Sequence, residues 1–182
     1  MSKAPHAAAV DVHARARRVR LLTCDVDGVL TDGRIFYADD GSEIKAFSSL
    51  DGLGIKLLQD SGAIVAWITG STAPAVTNRA RMLGVKHVVL GAANKLEPWE
   101  QLRRQLGLAP EQCAHIGDDL PDLPILVRCG LAVTVPNAPA PMQQHAQFVT
   151  RAHGGGGAVR ELCELILTAQ GELESRLKAF TQ

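Results

Sequence analysis

Short apolar runs alternate along the chain with segments in which apolar residues recur at helical spacing. The apolar runs predict six strands, at residues 19–24, 64–69, 87–90, 113–117, 131–135 and 148–150. The intervening segments predict six helices, at residues 52–59, 74–83, 95–106, 122–128, 140–145 and 158–170. Near-continuous apolar runs of strand length are typical of a sheet that is covered on both faces.

Strands that alternate with helices indicate the fold class. They predict parallel pairing in an α/β, Rossmann-like sheet with helices on both faces. Pro74 suits a first helical turn, and Gly84 and Gly107 stand where glycine commonly ends a helix. Ligands of such sheets bind at the carboxyl ends of the strands, so polar residues at those ends are the candidates for chemistry.

One segment, residues 34–47, interrupts the alternation directly after the first strand. Asp40-Gly41 between two short apolar stretches is a strong hairpin signal. A two-stranded ribbon is marginally stable alone in water, and this one carries large apolar side chains on its outer faces, namely Ile35, Tyr37, Ile44 and Phe47. We expect the hairpin to pack on a neighbouring subunit; the alternative is that it folds back on its own domain.

Length and composition change this picture little. The 182 residues fit one main domain at 19–170, with an N-terminal arm at 1–18 and a C-terminal tail at 171–182. Basic and acidic residues number 19 each, so charge gives no indication of a nucleic-acid or membrane partner. The four cysteines lack metal-binding spacing and no secretory signal is visible, which fits reduced thiols in a cytoplasmic protein.

Acidic, hydroxyl and basic residues follow successive predicted strands. They are Asp25 with Asp27, Thr69 with Gly70, Lys95, and Asp118 with Asp119. Each group alone has an ordinary explanation, as a turn, a helix cap or a solvated lysine. Their order, with acidic or hydroxyl groups at the strand ends and a lysine opening a helix, instead favours a phosphoryl-transfer centre that depends on Mg²⁺.

The roles follow from the chemistry of each group. Asp25 would attack phosphorus, and Asp27 would protonate the leaving oxygen and then deprotonate water. Thr69, the backbone at Gly70, and Lys95 would hold the phosphate. Mg²⁺ prefers oxygen ligands, and we expect Asp25, Asp118 and the main-chain carbonyl of Asp27 to provide them, with Asp119 supporting the site from behind.

Two further features have open interpretations. The glycine run at 154–157 precedes the last long helix and is either a flexible connector or a phosphate cradle at a helix N-terminus. His115 stands inside a predicted strand and is interpreted as a core residue with satisfied hydrogen bonds.

The motifs at 25–29, Thr69, Lys95 and 117–119 resemble the haloacid dehalogenase superfamily. Segments 30–33, 45–47, 51–55 and 157–161 resemble, within it, the family of 3-deoxy-D-manno-octulosonate 8-phosphate phosphatases. The resemblance implies a Rossmann-like domain without a large cap. It also implies Mg²⁺-dependent release of phosphate from an eight-carbon sugar acid of lipopolysaccharide biosynthesis, and a homotetramer whose hairpins form a central barrel and help cover a neighbour's active site.

Three positions depart from that family. Ser71, Gly156 and Leu50 stand where its members usually have basic residues. The basic residues that remain to compensate are Arg34, Lys45, Arg79, Arg151 and Arg160, of which Lys45 and Arg79 are the candidate substrate ligands. The alternatives are therefore a phosphatase for another small ester, such as a nine-carbon sialic-type sugar phosphate or an aryl phosphate. A receiver-like signalling domain or a non-catalytic accessory subunit would also use some of these features.

Overall fold

A computed structural model describes residues 11–181 of the chain. The central sheet contains β1 (Leu21–Cys24), β4 (Ile64–Ile68), β5 (His87–Val89), β6 (Cys113–Ile116), β7 (Leu131–Thr134) and β8 (Phe148–Val149). These strands are parallel and lie in the order β5-β4-β1-β6-β7-β8. The burial of β1, β6 and β7 along their whole length explains why their sequences are nearly continuous apolar runs.

The helices are α1 (Val12–Arg18), α2 (Ser49–Asp60), α3 (Pro74–Leu83), α4 (Leu96–Gln105), α5 (Leu123–Leu126), α6 (Ala140–His145), α7 (Ala158–Gln170) and α8 (Leu173–Lys178). The strand order shows that the chain reverses its direction across the sheet after β5, and crossovers between parallel strands are as a rule right-handed. Helices α2 and α3 therefore lie on one face and α4 to α6 on the other. The predicted α/β, Rossmann-like fold without a large cap is confirmed.

The predicted hairpin is present between β1 and α2. Its strands, β2 (Phe36–Tyr37) and β3 (Glu43–Ile44), are antiparallel and pair Phe36 with Ile44. Both of these side chains are exposed, as are Ile35 and Tyr37. Phe47 behaves differently, because its ring stacks on Trp67 in the core at a centroid distance of 6.2 Å. The base of the hairpin is thus anchored to its own domain, while its tip presents apolar side chains outward.

The two ends of the described chain are helical. Residues 1–10 of the predicted N-terminal arm lie outside the described residues, whereas α1 packs on α7 and buries Ala16 completely. The predicted C-terminal tail contains α8, which also contacts α7. The division into arm, domain and tail stays a prediction. Within residues 11–181, none of the helices combines the length and apolar character needed to cross a bilayer.

The order of the strands determines where a ligand binds. β1 lies between β4 and β6, with Cys24 beside Trp67 on one side and Ile116 on the other. In a doubly wound sheet the crevice for ligands opens at the carboxyl ends of the strands where the chain reverses its direction. Residues that follow β1, β4 and β6 therefore converge on one edge.

Candidate active site

The loop that begins at Asp25 is tightly folded. The Asp25 amide donates to the carbonyl of Ile116 over 3.0 Å, and the Val26 carbonyl accepts from three amides further along the loop. Gly28 has a φ of +85°, and a Cβ there would lie 2.0 Å from Oδ2 of Asp118. Glycine is therefore required both by the backbone and by the acid that lies against it.

Lys95 connects two acids at the centre of the site. Its Nζ lies 2.8 Å from Oδ2 of Asp25 and 2.8 Å from Oδ1 of Asp122. The lysine is 5% exposed. Burial lowers the pKa of Lys95, but attraction to Asp25 and Asp122 outweighs that effect and raises the pKa above its usual value. Lys95 is therefore a fixed positive charge beside the predicted nucleophile.

Asp122 has a second donor behind it. Nε2 of the fully buried His115 lies 2.9 Å from the same Oδ1 atom that Lys95 contacts, and its Nδ1 lies 2.8 Å from Oγ1 of Thr23. Burial raises the pKa of Asp122, but its contacts with His115 and Lys95 lower that pKa below its usual value overall. Asp122 is thus held ionised by two donors.

Three carboxylates meet where a cation would be expected. Asp25, Asp118 and Asp122 each place an oxygen within 4.8 Å of the other two. Burial, with a contribution from the charge of Asp122, raises the pKa of Asp25 well above its usual value and that of Asp118 to about 6. Clustered oxygen donors whose charges oppose one another suit a divalent cation, so this donor set fits a metal site.

The hairpin reaches the site through Lys45. Its Nζ lies 2.5 Å from Oδ1 of Asp27, and it also forms an ion pair with Glu43. Burial lowers the pKa of Lys45, but hydrogen bonds to Asp27 and Glu43 outweigh it and raise that pKa. A charge on the hairpin is therefore fixed against the predicted acid/base residue.

Thr69 lies directly after β4, beside the strand that carries Asp25. It is buried, and its Oγ1 accepts the amide of Ser71 over 3.1 Å, which leaves the hydroxyl hydrogen available as a donor. Gly70 is exposed, and a Cβ there would meet only the Ala92 carbonyl, at 4.0 Å. The backbone at this turn is thus accessible, as a phosphate-binding turn must be.

Two predicted site residues have other partners. The guanidinium of Arg79 donates to the carbonyl of Ser48 over 3.0 Å and lies against Gly52. Asp119 is exposed, and its carboxylate accepts a hydrogen bond of 2.8 Å from the amide of Leu120. Asp119 thereby caps the short 3₁₀ turn that begins at Leu120. Their roles in binding substrate and supporting the metal stay predictions.

The glycine run packs against the loop that carries Asp27. The Gly155 amide donates to the carbonyl of Val29 over 2.9 Å, and a Cβ on Gly154 would lie 1.8 Å from the carbonyl oxygen of Gly28. The N-terminus of α7 already has an anionic partner, because Oδ1 of Asp51 accepts the Arg160 amide over 2.8 Å. The run is therefore neither a free connector nor an open phosphate cradle.

Asp122 and His115 take part in the site through contacts that were not predicted from the sequence. The 3₁₀ turn at Leu120–Asp122 directs the carboxylate of Asp122 back beneath the strand end. The available signals were the third acid in the sequence Gly-Asp-Asp-Leu-Pro-Asp at 117–122 and a histidine inside an otherwise apolar strand. Such a residue needs hydrogen-bond partners in the interior.

Comparisons with known proteins identify the family of this chain. Residues 85–162 match the model of a family described as haloacid dehalogenase-like hydrolase. A relative from Yersinia pestis is named 3-deoxy-D-manno-octulosonate 8-phosphate phosphatase KdsC. It is 48% identical over 164 residues, which span 90% of this chain and 88% of the relative.

Two solved structures share the fold over nearly the whole chain. That of the 3-deoxy-D-manno-octulosonate 8-phosphate phosphatase of Moraxella catarrhalis, in complex with a magnesium ion, a phosphate ion and KDO, has a TM-score of 0.92 and 41% identity, covering 93% of this chain and 98% of its own. The cobalt-bound form of the corresponding Haemophilus influenzae phosphatase (YrbI) has a TM-score of 0.87 and 38% identity, covering 92% and 99%.

Proposed function

The chain belongs to the 3-deoxy-D-manno-octulosonate 8-phosphate phosphatases, a family of haloacid dehalogenase-like hydrolases, and from that premise we propose how its residues divide the reaction. It is a phosphoric monoester hydrolase that converts this eight-carbon sugar acid phosphate to the free sugar acid and phosphate, a step of lipopolysaccharide biosynthesis. The reaction proceeds through an aspartyl-phosphate on Asp25.

The observation that carries the proposal is the contact of Lys95 with Asp25. A lysine 2.8 Å from the carboxylate holds the predicted nucleophile in place and adds a positive charge where the transferring phosphoryl group would lie. The Val26 amide donates to the other oxygen of Asp25 over 2.7 Å, so the carboxylate is oriented from both sides. A carboxylate held in this way is prepared for attack on phosphorus.

Asp27 completes the proton transfers. It would give a proton to the sugar oxygen as the ester bond breaks, and then take one from the water that hydrolyses the aspartyl-phosphate. Its contact with Lys45 fixes the orientation of its side chain. Thr69 and the backbone at Gly70 would hold the phosphate oxygens from the neighbouring strand.

A divalent metal ion is part of this site, and we propose Mg²⁺. The carboxylates of Asp25 and Asp118, with the main-chain carbonyl of Asp27, would hold it. Asp122 belongs to the same carboxylate cluster, and its Oδ2 has no hydrogen-bond partner among the described residues. When bound, the ion neutralises charge on the nucleophile and the phosphate. Phosphate release with Mg²⁺, Mn²⁺ and Co²⁺ compared at equal concentration would identify the effective ion.

The Asp25→Asn variant tests the assignment of the nucleophile. An amide of the same size cannot form the aspartyl-phosphate, so we expect phosphate release to fall by more than about 10⁴-fold while the protein stays folded. Ser49→Ala, on the exposed first turn of α2, is the control and should leave the rate unchanged. Wild-type turnover by Asp25→Asn would show that another group attacks phosphorus.

A comparison of kcat/KM over a panel of phosphate esters tests the identity of the substrate. Ser71 stands in the phosphate-binding turn and Gly156 in the glycine run, so neither offers a cationic side chain to the sugar acid. We expect the eight-carbon sugar acid phosphate to have a higher kcat/KM than a nine-carbon sialic-type sugar phosphate or an aryl phosphate. A preference for either of the latter would reassign the substrate but not the chemistry.

We also propose a homotetramer that is formed through the hairpin, and a cytoplasmic location. The exposed side chains of Ile35, Phe36, Tyr37 and Ile44 support the first proposal, since such a ribbon gains stability by pairing with copies of itself. The second is supported by four cysteines that are all free and buried, as is usual in a reducing compartment.

A further inference from the structure

His115 is a buried polar residue to which the reaction scheme gives no role. It lies on β6, on the strand next to the one that carries Asp25, and it is completely inaccessible to solvent. Its two ring nitrogens have one partner each, Oδ1 of Asp122 at 2.9 Å and Oγ1 of Thr23 at 2.8 Å. Both ends of the ring are therefore fixed.

The donor in the contact with Asp122 follows from chemistry. An ionised carboxylate only accepts hydrogen bonds, so Nε2 of His115 carries a hydrogen and donates it. The Thr23 hydroxyl can serve Nδ1 as donor or acceptor, and it also lies 3.1 Å from the carbonyl of Ala114. Thr23 thus sets the orientation of the ring, and the ring in turn directs one hydrogen to Asp122.

Asp122 divides its attraction between two donors. Its Oδ1 receives both His115 and Lys95, while its Oδ2 has no partner among residues 11–181. Lys95, for its part, is equidistant from Asp122 and Asp25, at 2.8 Å from each. If His115 were removed, Lys95 would be the only donor to the buried Asp122 carboxylate that remains among the described residues, and that carboxylate would draw Lys95 away from Asp25.

We propose that His115 is a positioning residue for phosphoryl transfer, which satisfies Asp122 and so leaves Lys95 shared with Asp25 and the phosphate. The proposal rests on the function assigned above to Asp25 and Lys95. His115 touches neither substrate nor nucleophile in this scheme and acts only through Asp122.

The test compares His115→Phe, which removes both ring nitrogens, with His115→Gln, which retains an N–H group on a shorter polar side chain. With the full chain and Mg²⁺, we expect His115→Phe to lower kcat by about 10- to 100-fold, as loss of a supporting partner commonly does, and to weaken inhibition by inorganic phosphate. His115→Gln should recover most of both. Wild-type kcat and phosphate inhibition in a folded His115→Phe variant would overturn the proposal.

Two controls distinguish a loss of positioning by His115 from a general loss of protein stability. Gln59→Met removes a hydrogen bond of 2.9 Å to the Leu83 carbonyl, on helices away from the site, and should lower the melting temperature without changing kcat. In a Lys95→Ala background, His115→Phe should have no further effect on kcat, whereas a purely structural role would give an additional loss. Full additivity of the two changes would therefore also overturn the proposal.

A variant that does not fold, and a failure of the proposed function itself, can each be distinguished from a failure of the role of His115. If His115→Phe does not fold, the smaller His115→Leu replaces it in every comparison with the same expected results. If Asp25→Asn keeps its activity, the proposed function fails; if Asp25→Asn is inactive while His115→Phe and His115→Leu behave as wild type, only the role of His115 fails.

Discussion

Asp118 connects the charge of the site to pH. Its pKa is raised to about 6 because burial, and then the negative charge of Asp122, oppose its ionisation. The folded protein without metal therefore binds a proton at this residue more tightly than the unfolded chain does. It follows that the contribution of Asp118 to the free energy of unfolding is present below about pH 4 and is lost as the pH rises towards about 6.

The direction of this pH dependence of the free energy of unfolding can be measured by urea unfolding at several pH values with a chelator present. We expect the free energy of unfolding of the wild type to fall, relative to that of Asp118→Asn, between about pH 4 and pH 6. Added Mg²⁺ should reverse the trend, because an ionised Asp118 binds the cation, and the stabilisation by Mg²⁺ should be small at pH 5 and large at pH 7. A wild-type advantage that grows with pH in the absence of metal would contradict this account.

At the scale of single elements, the glycine run shows how a helix connection supports a catalytic loop. Gly154 touches the carbonyl of Gly28, Gly155 donates to Val29, and Asp51 caps the helix that follows. The run fills the narrow space between α7 and the loop that carries Asp27. A side chain at Gly154 would have to displace the residue next to Asp27.

Gly154→Ala and Gly156→Ala form a matched pair for this interpretation. Neither residue has a positive φ, and a Cβ on Gly156 would meet only the carbonyl of His153, at 3.2 Å, within its own turn. We expect Gly154→Ala to lower kcat by about 100-fold, since a shift of about 1 Å in a catalytic group has that effect, and Gly156→Ala to stay near wild type. Equal kcat values for two folded variants would show that the run does not position Asp27.

The elements also show what sequence patterns can and cannot predict. The predicted bounds of α3, α6 and α7 are those observed, because proline at a first turn and glycine after a last turn mark helix ends locally. The strands end earlier than predicted, at Ile68 and Ile116, since Thr69 and Gly117 already leave the sheet for the site. Asp51 at the start of α7 could not be predicted, because the pair it forms with Arg160 spans 109 residues.

In the candidate site, too, some features could be predicted from local sequence and others depend on the folded chain. The structure brings Asp25, Lys95 and Asp118 together at one sheet edge, because parallel strands have their carboxyl ends on the same side, while their roles stay predictions. The role of Asp122 depends on a 3₁₀ turn, and the role of His115 on which strand lies beside β1. Both are properties of the folded chain, and local periodicity does not contain them.

For the whole molecule, the exposed hairpin is the feature that predicts assembly. Ile44 is paired with Phe36 on the ribbon, and both are exposed in the single chain. We expect Ile44→Asp to convert a tetramer into smaller species in multi-angle light scattering, because an aspartate cannot be buried in an apolar interface without cost. Met82→Asp, at an exposed apolar position on α3, is the control and should keep the wild-type mass. A monomeric wild type would refute the tetramer.

The position of the nucleophile at the end of a central strand determines how the enzyme loses activity on heating. The Asp25 amide is bonded to Ile116 at the junction of the innermost strands, which separate only when the whole core opens. Its hydrogen exchange should accordingly report the global unfolding free energy, while amides of the exposed hairpin exchange through small fluctuations. Heat would then abolish catalysis in a single cooperative step, with little gradual loss of activity before it.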